Sequence, residues 1–495
     1  MRIRPLTLAE QYQQIGGYLG GIWVTIGLIM AAPLLAYPIW GSGPEELAAI
    51  LVPSGALAAV GGLLAWLWWP RQPTIPPSFL DGTVIILVAW ITAIVVGSTP
   101  FMWLHGLNFT QAIFEATSGW TTTGLSVVDV TAASPLLLLY RSTLQLGGGA
   151  GFAIIMLTTL IGPAGTGISS AEGRGEQLLP NVRRSAVLVF KLYLGYNIFG
   201  IIALTLAGMS VFDAINHAFA ALSTGGFSTR VESLGYWDSP AIEAVIILLM
   251  VMGTVNFVIG YAFLQGKWRA FLRTGEIRML IFVLVTAIPI TFFGVTWGLY
   301  PTIDKAVRVA IFEIVSAMST SGFSTVPYTN WPDLGVFVMV LVMLIGGGTG
   351  STAGGLKQYR VYLLYRSLLW EIKRLFWPRL VQTAPTVWQV DELRFINDQQ
   401  VRQASLYVFL HLLAFFVGSL ILTAYGYSLS YSMFELASSV STVGLSVGIT
   451  SVNAPAGVLW TETIMMFLGR LEFFAVFAGL GRLWQDGGRL FAQRA

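Results

Sequence analysis

Thr121-Thr122-Thr123-Gly124-Leu125-Ser126 is one of four copies of a single pattern. Ser223-Thr224-Gly225-Gly226-Phe227-Ser228, Ser319-Thr320-Ser321-Gly322-Phe323-Ser324 and Ser441-Thr442-Val443-Gly444-Leu445-Ser446 repeat it, so [ST]-T-x-G-[FL]-S recurs with its glycines 102, 96 and 122 residues apart. Upstream, Phe114-Glu115, Phe312-Glu313 and Phe434-Glu435 stand at one fixed offset from the glycine in three copies, and Asn216-His217 stands there in the second. Small residues that let membrane helices pack closely recur every four or seven positions within one helix. A pattern that returns about once per hundred residues marks equivalent places in a repeated structural unit instead.

The composition sets the solvent in which those units fold. Of 495 residues, 55% are hydrophobic and only 10% charged, and the mean hydropathy is +0.73, which defines an integral membrane protein. The 30 Phe, 17 Tyr and 17 Trp exclude disorder. Apolar runs that are long and continuous exclude an outer-membrane barrel, whose strands read as short alternating segments. There is no cysteine, so disulfides, iron–sulfur clusters and thiolate metal sites are ruled out. Three scattered histidines (His105, His217, His411) with no ligand spacing argue against catalytic zinc and read as packed or interfacial. A net charge of +3 gives no footprint for nucleic acid. With so few acids, bases or metal ligands to converge at membrane depth, the chain is not read as an enzyme.

Apolar runs predict ten crossings, near 14–40, 46–69, 80–104, 135–162, 185–209, 239–265, 277–299, 332–371, 402–425 and 456–483. The first is longer than a signal-peptide core and reads as a retained anchor. Twenty-two of the 27 Lys and Arg fall on one face of that topology, which predicts both termini on the cytoplasmic side. Arg141 and Arg470 remain inside predicted spans, Arg141 near an outer end where it can snorkel to the interface.

Each motif lies between two spans, on the outer side. Two crossings per unit return the chain to one side, so the units are parallel repeats: 73–170, 171–266, 267–375 and 376–495, the last with a cytoplasmic connection, after two additional N-terminal helices in 1–72. The segments before the motifs (114–121, 212–222, 311–318, 433–440) are too short to cross and read as re-entrant half helices. Irregular backbone at membrane depth survives only where protein or water covers it, so the four loops are expected to converge on one lumen. The predicted fold is an all-α membrane protein of four membrane–pore–membrane repeats about a pseudo-fourfold pore, like a K⁺ channel. The negative ends of the half helices favour a cation there. The three glutamates have two readings, stabilisation of a half-helix start or direct ion binding, and the first is preferred.

These motifs resemble the selectivity-filter loops of the Trk, Ktr and HKT superfamily of potassium transporters, and the two extra N-terminal helices are similar to the TrkH/TrkG branch. The resemblance covers nearly the whole chain. It implies potassium uptake through a filter formed by Thr122, Thr123, Gly124, Thr224, Gly225, Gly226, Thr320, Ser321, Gly322, Thr442, Val443 and Gly444, whose carbonyls replace the hydration shell of K⁺ as transported ion, with no organic cofactor. Plant members associated with Na⁺ selectivity carry serine at the first filter position, where this chain has Gly124. A Na⁺-conducting or cation-coupled symporter is the alternative that the filter sequence leaves open.

Gly346-Gly347-Gly348-Thr349-Gly350-Ser351-Thr352-Ala353-Gly354-Gly355 holds six glycines in ten residues, a composition no helix keeps at about 1 kcal/mol lost per glycine. The resemblance implies an intramembrane gating loop here, the alternative being a closely packed helix end. It also implies that Arg470 is an electrostatic barrier in the pore, against the alternative of a packing ion pair. Gly147-Gly148-Gly149-Ala150-Gly151 resembles a glycine cluster of the family and equally suits close helix packing. Homodimerisation and docking of a cytosolic nucleotide-binding RCK subunit of the TrkA type are further implications, with 163–184, 266–277 and 357–402 as the surface. Lipid headgroups are the competing partner for the same arginines. The implied location is the bacterial inner membrane.

Overall fold

The computed structural model describes residues 7–69, 77–151, 182–376, 385–389 and 392–492. The inner part of the fourth expected span (152–162), most of the loop 163–184, and Trp377, Pro378, Arg379, Val390 and Asp391 lie outside the described residues. Helices of eight residues or more are labelled in chain order: α1 Leu8–Ala31, α2 Pro44–Trp68, α3 Phe79–Gly97, α4 Phe109–Trp120, α5 Pro135–Leu146, α6 Val182–Leu206, α7 Val211–Leu222, α8 Pro240–Thr254, α9 Phe257–Leu264, α10 Gly275–Thr291, α11 Ile303–Ser319, α12 Asp333–Ile345, α13 Gln358–Phe376, α14 Asp398–Ala424, α15 Leu429–Val440, α16 Ala456–Arg470 and α17 Phe474–Ala492. A short antiparallel hairpin, β1 Thr386–Gln389 and β2 Glu392–Phe395, is the only sheet among the described residues.

Six helical segments are long and apolar enough to cross a membrane, and eight when two segments interrupted by a break each count as one. Four expected spans differ, 239–265 and 456–483 by the two breaks just noted, between α8 and α9 and between α16 and α17. The 135–162 span is helical from Pro135 to Leu146 and continues as a π-helical turn over Gly147–Gly151, where Gly149 leaves helical geometry. The 332–371 span is two helices, α12 and α13, separated by the non-helical glycine segment.

The chain divides into two compact units. One comprises 1–121, 127–195 and 471–495. In it α1 and α2 form a close hairpin: a Cβ on Gly20 would lie 2.5 Å from the Gly61 carbonyl oxygen, and one on Gly27 2.6 Å from that of Ser54. Such backbone approach, possible only between small residues, supplies the dispersion contacts that hold helices where lipid removes the hydrophobic drive. The second unit comprises 122–126 and 196–470, and therefore contains all four motif glycines.

In this second unit, Asp238 accepts from Lys305 Nζ at 2.5 Å and Arg308 Nη2 at 2.9 Å, and Arg308 also grips the buried Glu243 at 2.5 Å. The hydrogen bond from Lys305, more than its charge, and then Arg308 hold the Asp238 carboxyl below the usual range. A depressed carboxyl stabilises the fold above its ordinary value of about 3.9 and loses that contribution as pH falls through the lowered one. In detergent, the wild-type melting temperature should therefore fall with acidification below about pH 4, and Asp238→Asn should remove a part of that slope within the ~0–1 kcal/mol typical of exposed pairs. Parallel pH–melting curves for the two proteins would count against this linkage.

Candidate ion-conduction site

Four short helices deliver the motifs. Each starts on a side-chain cap that accepts from the backbone of its first turn: Asn108 for α4, Ser210 for α7, Thr302 for α11 and Ser428 for α15. The half helices are longer than the segments 114–121, 311–318 and 433–440, because the caps lie several residues before the apolar runs.

Each half helix ends the same way. Thr122, Thr224, Thr320 and Thr442 have φ of 55°, 53°, 54° and 52°. In three copies the threonine amide donates to the carbonyl three residues back (to Ala221, Ala317 and Ser439), and the next amide to the carbonyl five back (to Ala220, Ser316 and Ser438). That is a Schellman ending in which threonine takes the left-handed position that glycine usually fills. A β-branched residue there costs of order 1–3 kcal/mol and persists only where its surroundings over-determine it. Two residues on, Gly124, Gly226, Gly322 and Gly444 take φ of 101°, 73°, 71° and 98°.

These glycines close a ring. A Cβ on Gly124 would collide with the carbonyl oxygen of Gly225, one on Gly226 with that of Ser321, one on Gly322 with that of Val443, and one on Gly444 with that of Thr123. Each loop thus abuts the x-position carbonyl of the next, and the fourth abuts the first. All twelve residues expected at the filter are brought together, and Leu125, Phe227, Phe323 and Leu445 are buried behind them.

The glutamates sit in mid-helix, not at helix starts, and do something the sequence reading missed. Glu115 Oε2 accepts from Val127 N at 2.9 Å, Glu313 Oε1 from Thr325 N at 2.9 Å and Glu435 Oε2 from Val447 N at 3.1 Å. In each case a fully buried carboxylate holds the backbone twelve residues on, where the chain leaves the loop. Glu313 is also bonded to Tyr328 Oη, and Glu435 takes Ser446 Oγ at 2.6 Å and Thr450 N at 3.0 Å. Arg141 does not snorkel: it is 2% exposed and its Nε donates to Glu115 Oε1 at 2.8 Å.

In the second copy His217 replaces glutamate, its Nε2 within 3.0 Å of Ser228 Oγ and its ring stacked on Phe323 of the third loop. The carboxylate is supplied one turn earlier by Asp213, which accepts from Thr229 Oγ1 at 2.6 Å and Arg230 Nη2 at 3.3 Å. His411 is likewise packed, with Nε2 3.2 Å from Ser441 Oγ at the head of the fourth motif. His105 Nε2 accepts from Asp129 N at 3.2 Å.

The helix after each loop breaks at the level of the half-helix end. In three copies a single glycine meets the last carbonyl of that half helix: Gly148 meets Trp120, Gly253 meets Leu222 and Gly469 meets Val440. In the third copy the corresponding stretch is the glycine segment, which is extended and looped, with Gly346, Gly350 and Gly355 at φ of 68°, 71° and 79°. It lies against the motifs: Gly354 N donates to Thr320 Oγ1 at 2.8 Å, a Cβ on Gly354 would strike Ser441 O and Thr442 Oγ1, and Thr352 Oγ1 donates at 2.9 Å to Leu222 O or Gly253 O. Arg470, the last residue of α16, donates from Nη1 to Thr352 O at 2.8 Å, which ties it to the loop backbone.

Apolar helices throughout, with irregular polar backbone gathered at a buried ring and in the glycine segment packed against it, define an all-α membrane transport protein. The TrkH family profile, described as "Cation transport protein", matches residues 56–479, and the chain belongs to this family. It is 30% identical over 439 residues to the Trk system potassium uptake protein TrkH of Escherichia coli K12, covering 84% of this chain and 88% of that one. It is 29% identical to an uncharacterized cation transporter of Methanocaldococcus jannaschii, covering 92% and 93%. The crystal structure of the potassium transporter TrkH from Vibrio parahaemolyticus superposes with a TM-score of 0.81 at 27% identity, covering 94% of this chain and 98% of that one.

Proposed function

We propose that this chain takes up K⁺ across the inner membrane through a filter made of the four loops, arranged about a pseudo-fourfold axis by repeats 73–170, 171–266, 267–375 and 376–495. The closed ring of motif glycines and x-position carbonyls carries the reading. Carbonyl oxygens held by a strained backbone that is anchored at the half-helix ends can replace a hydration shell without reorganising as the ion arrives. Buried carboxylates clamp the chain behind three of the loops, and Asp213 with His217 serves the second. With T-x-G alone in each loop, fewer ordered ion sites and looser rejection of Na⁺ are expected than in a TVGYG filter.

In the same reading Gly346–Gly355 is the gate and Arg470 its positively charged brace. Relatives named for the Trk system support a cytosolic RCK subunit of the TrkA type as partner; a homodimeric assembly is part of the same reading and rests on the family resemblance alone. The test is Rb⁺ uptake by the purified protein in liposomes against excess Na⁺. Uptake that tenfold Na⁺ suppresses only weakly is the expected result; uptake abolished by Na⁺ would overturn K⁺ as cargo.

A further inference from the structure

The glycine segment touches more than the filter loops. Its middle residue, Thr349, is held by two side chains from elements far away in sequence. Thr349 N donates to Glu276 Oε1 at 2.9 Å, and Thr349 O accepts from Asn256 Nδ2 at 2.6 Å. Both holders are nearly buried, at 5% and 3% exposure. Neither is an incidental neighbour. Asn256 lies at the break where α8 ends and α9 leaves at 116°, and its Oδ1 caps α9 by accepting from Val258 N at 2.7 Å. Beside it Gly348 N donates to Thr254 O at 3.0 Å, so the broken end of α8 and the loop are joined edge to edge. Glu276 lies in the first turn of α10.

That first turn is also where the cytoplasmic structure bears on the membrane helices. Arg273 places its guanidinium 5.5 Å from the Trp388 ring of β1. Met279, one turn past Glu276, packs against the buried cluster of Tyr362, Leu363, Val387, Ile396 and Ala404. Glu276 stands between these two contacts on the chain. A displacement of the hairpin or of α13 is therefore delivered to the residue that holds Thr349.

We propose that Glu276 and Asn256 are a latch, positioning residues that pin both backbone groups of Thr349 and so set how often the loop leaves the conduction path. This rests on the reading of Gly346–Gly355 as the gate. Two opposed grips on Thr349 fix its orientation, and releasing either loosens a backbone to which glycine on both sides gives wide conformational freedom. The latch acts on occupancy of the blocked state alone and makes no contact with the passing ion.

Single-channel recording of the full-length protein in planar bilayers tests it, using Glu276→Ala, Glu276→Gln, Asn256→Asp and a variant lacking Thr349-Gly350-Ser351. Asn256→Asp keeps the acceptor that caps α9 and replaces the donor to Thr349 O with a carboxylate oxygen that repels it; Glu276→Gln keeps an acceptor for Thr349 N. Glu276→Ala and Asn256→Asp should each raise open probability about tenfold, the factor one lost hydrogen bond to such a group represents. Glu276→Gln should show a smaller rise, and unit conductance and the K⁺ to Na⁺ ratio should stay unchanged in all three. In the loop-shortened background neither substitution should add anything.

If loop shortening opens the pore while Glu276→Ala and Asn256→Asp do not, the latch is overturned and the gate stands. If loop shortening leaves open probability unchanged, the gate reading fails and takes the latch with it. A change in unit conductance, or an effect that persists in the shortened background, would make these residues supports of the fold and overturn the latch as well.

Discussion

Gly322→Ala is expected to reduce K⁺ or Rb⁺ flux by at least about a hundredfold while leaving the protein folded. Two separate costs fall on that methyl group. The residue sits at φ +71°, where an L side chain costs roughly 1–2 kcal/mol. Its Cβ would also strike the Val443 carbonyl oxygen and come to 2.9 Å from Gly444 Cα, and backbone cannot swing aside as a side-chain end can. The ring geometry turns a local clash into a global one, because displacing the fourth loop moves its carbonyl against Gly322 and its glycine against Thr123. The clamps behind the loops, Glu313 on Thr325 and Glu435 on Val447, are untouched, so the half helices keep their supports. Uptake into liposomes read beside a melting curve separates the two effects. A variant that melts normally and conducts at the wild-type rate would show that ions do not pass the ring.

The ring was legible in the sequence for one reason: a left-handed threonine followed two residues on by a left-handed glycine is a backbone requirement, and four copies of one requirement leave four copies of one spelling. The clamps were visible as letters but not as a mechanism. Glu115, Glu313 and Glu435 stand at a fixed offset from the motif, yet their partners are backbone amides twelve residues on, and backbone amides have no spelling. The conserved distance from glutamate to the exit of the loop was the available signal. Sequence alone starts the half helices several residues late, which gives these glutamates the look of helix-terminus charges. Arg141 was misplaced for a related cause: its buried partner Glu115 is on another helix, and only packing joins them. The second copy shows how far a role can drift from its letter, since Asp213 supplies the charge from one turn earlier while His217 fills the space. The break at Gly346–Gly355 was plain from composition, whereas the grips of Asn256 and Glu276 span 93 and 73 residues and could come only from the fold.

Removing Thr349-Gly350-Ser351 is expected to raise basal flux by about ten- to a hundredfold, the largest gain of function available in this chain. The comparison among the four copies shows why. Where Gly148, Gly253 and Gly469 bring a helix against the end of a half helix, each does so with one residue. The third copy spends ten residues at the same place, and those residues are bonded to the second motif's helix end through Thr352, to the third motif through Thr320 and to α16 through Arg470. At about 0.5–1.5 kcal/mol net for each hydrogen bond, the attachments sum to a few kcal/mol, enough to keep the loop against the motifs most of the time. They also fall short of the ~5.5 kcal/mol that carries an equilibrium from 1:99 to 99:1, so the loop remains movable by a partner of ordinary affinity. Shortening it removes the grips on Thr349 and leaves too little chain to reach Thr320 and Thr352's partners together. Arg470→Ala, which removes one attachment, should raise flux severalfold in the same assay and add little to the shortened protein. Flux that stays at the wild-type level in a shortened, normally melting protein would place the constriction elsewhere along the pore.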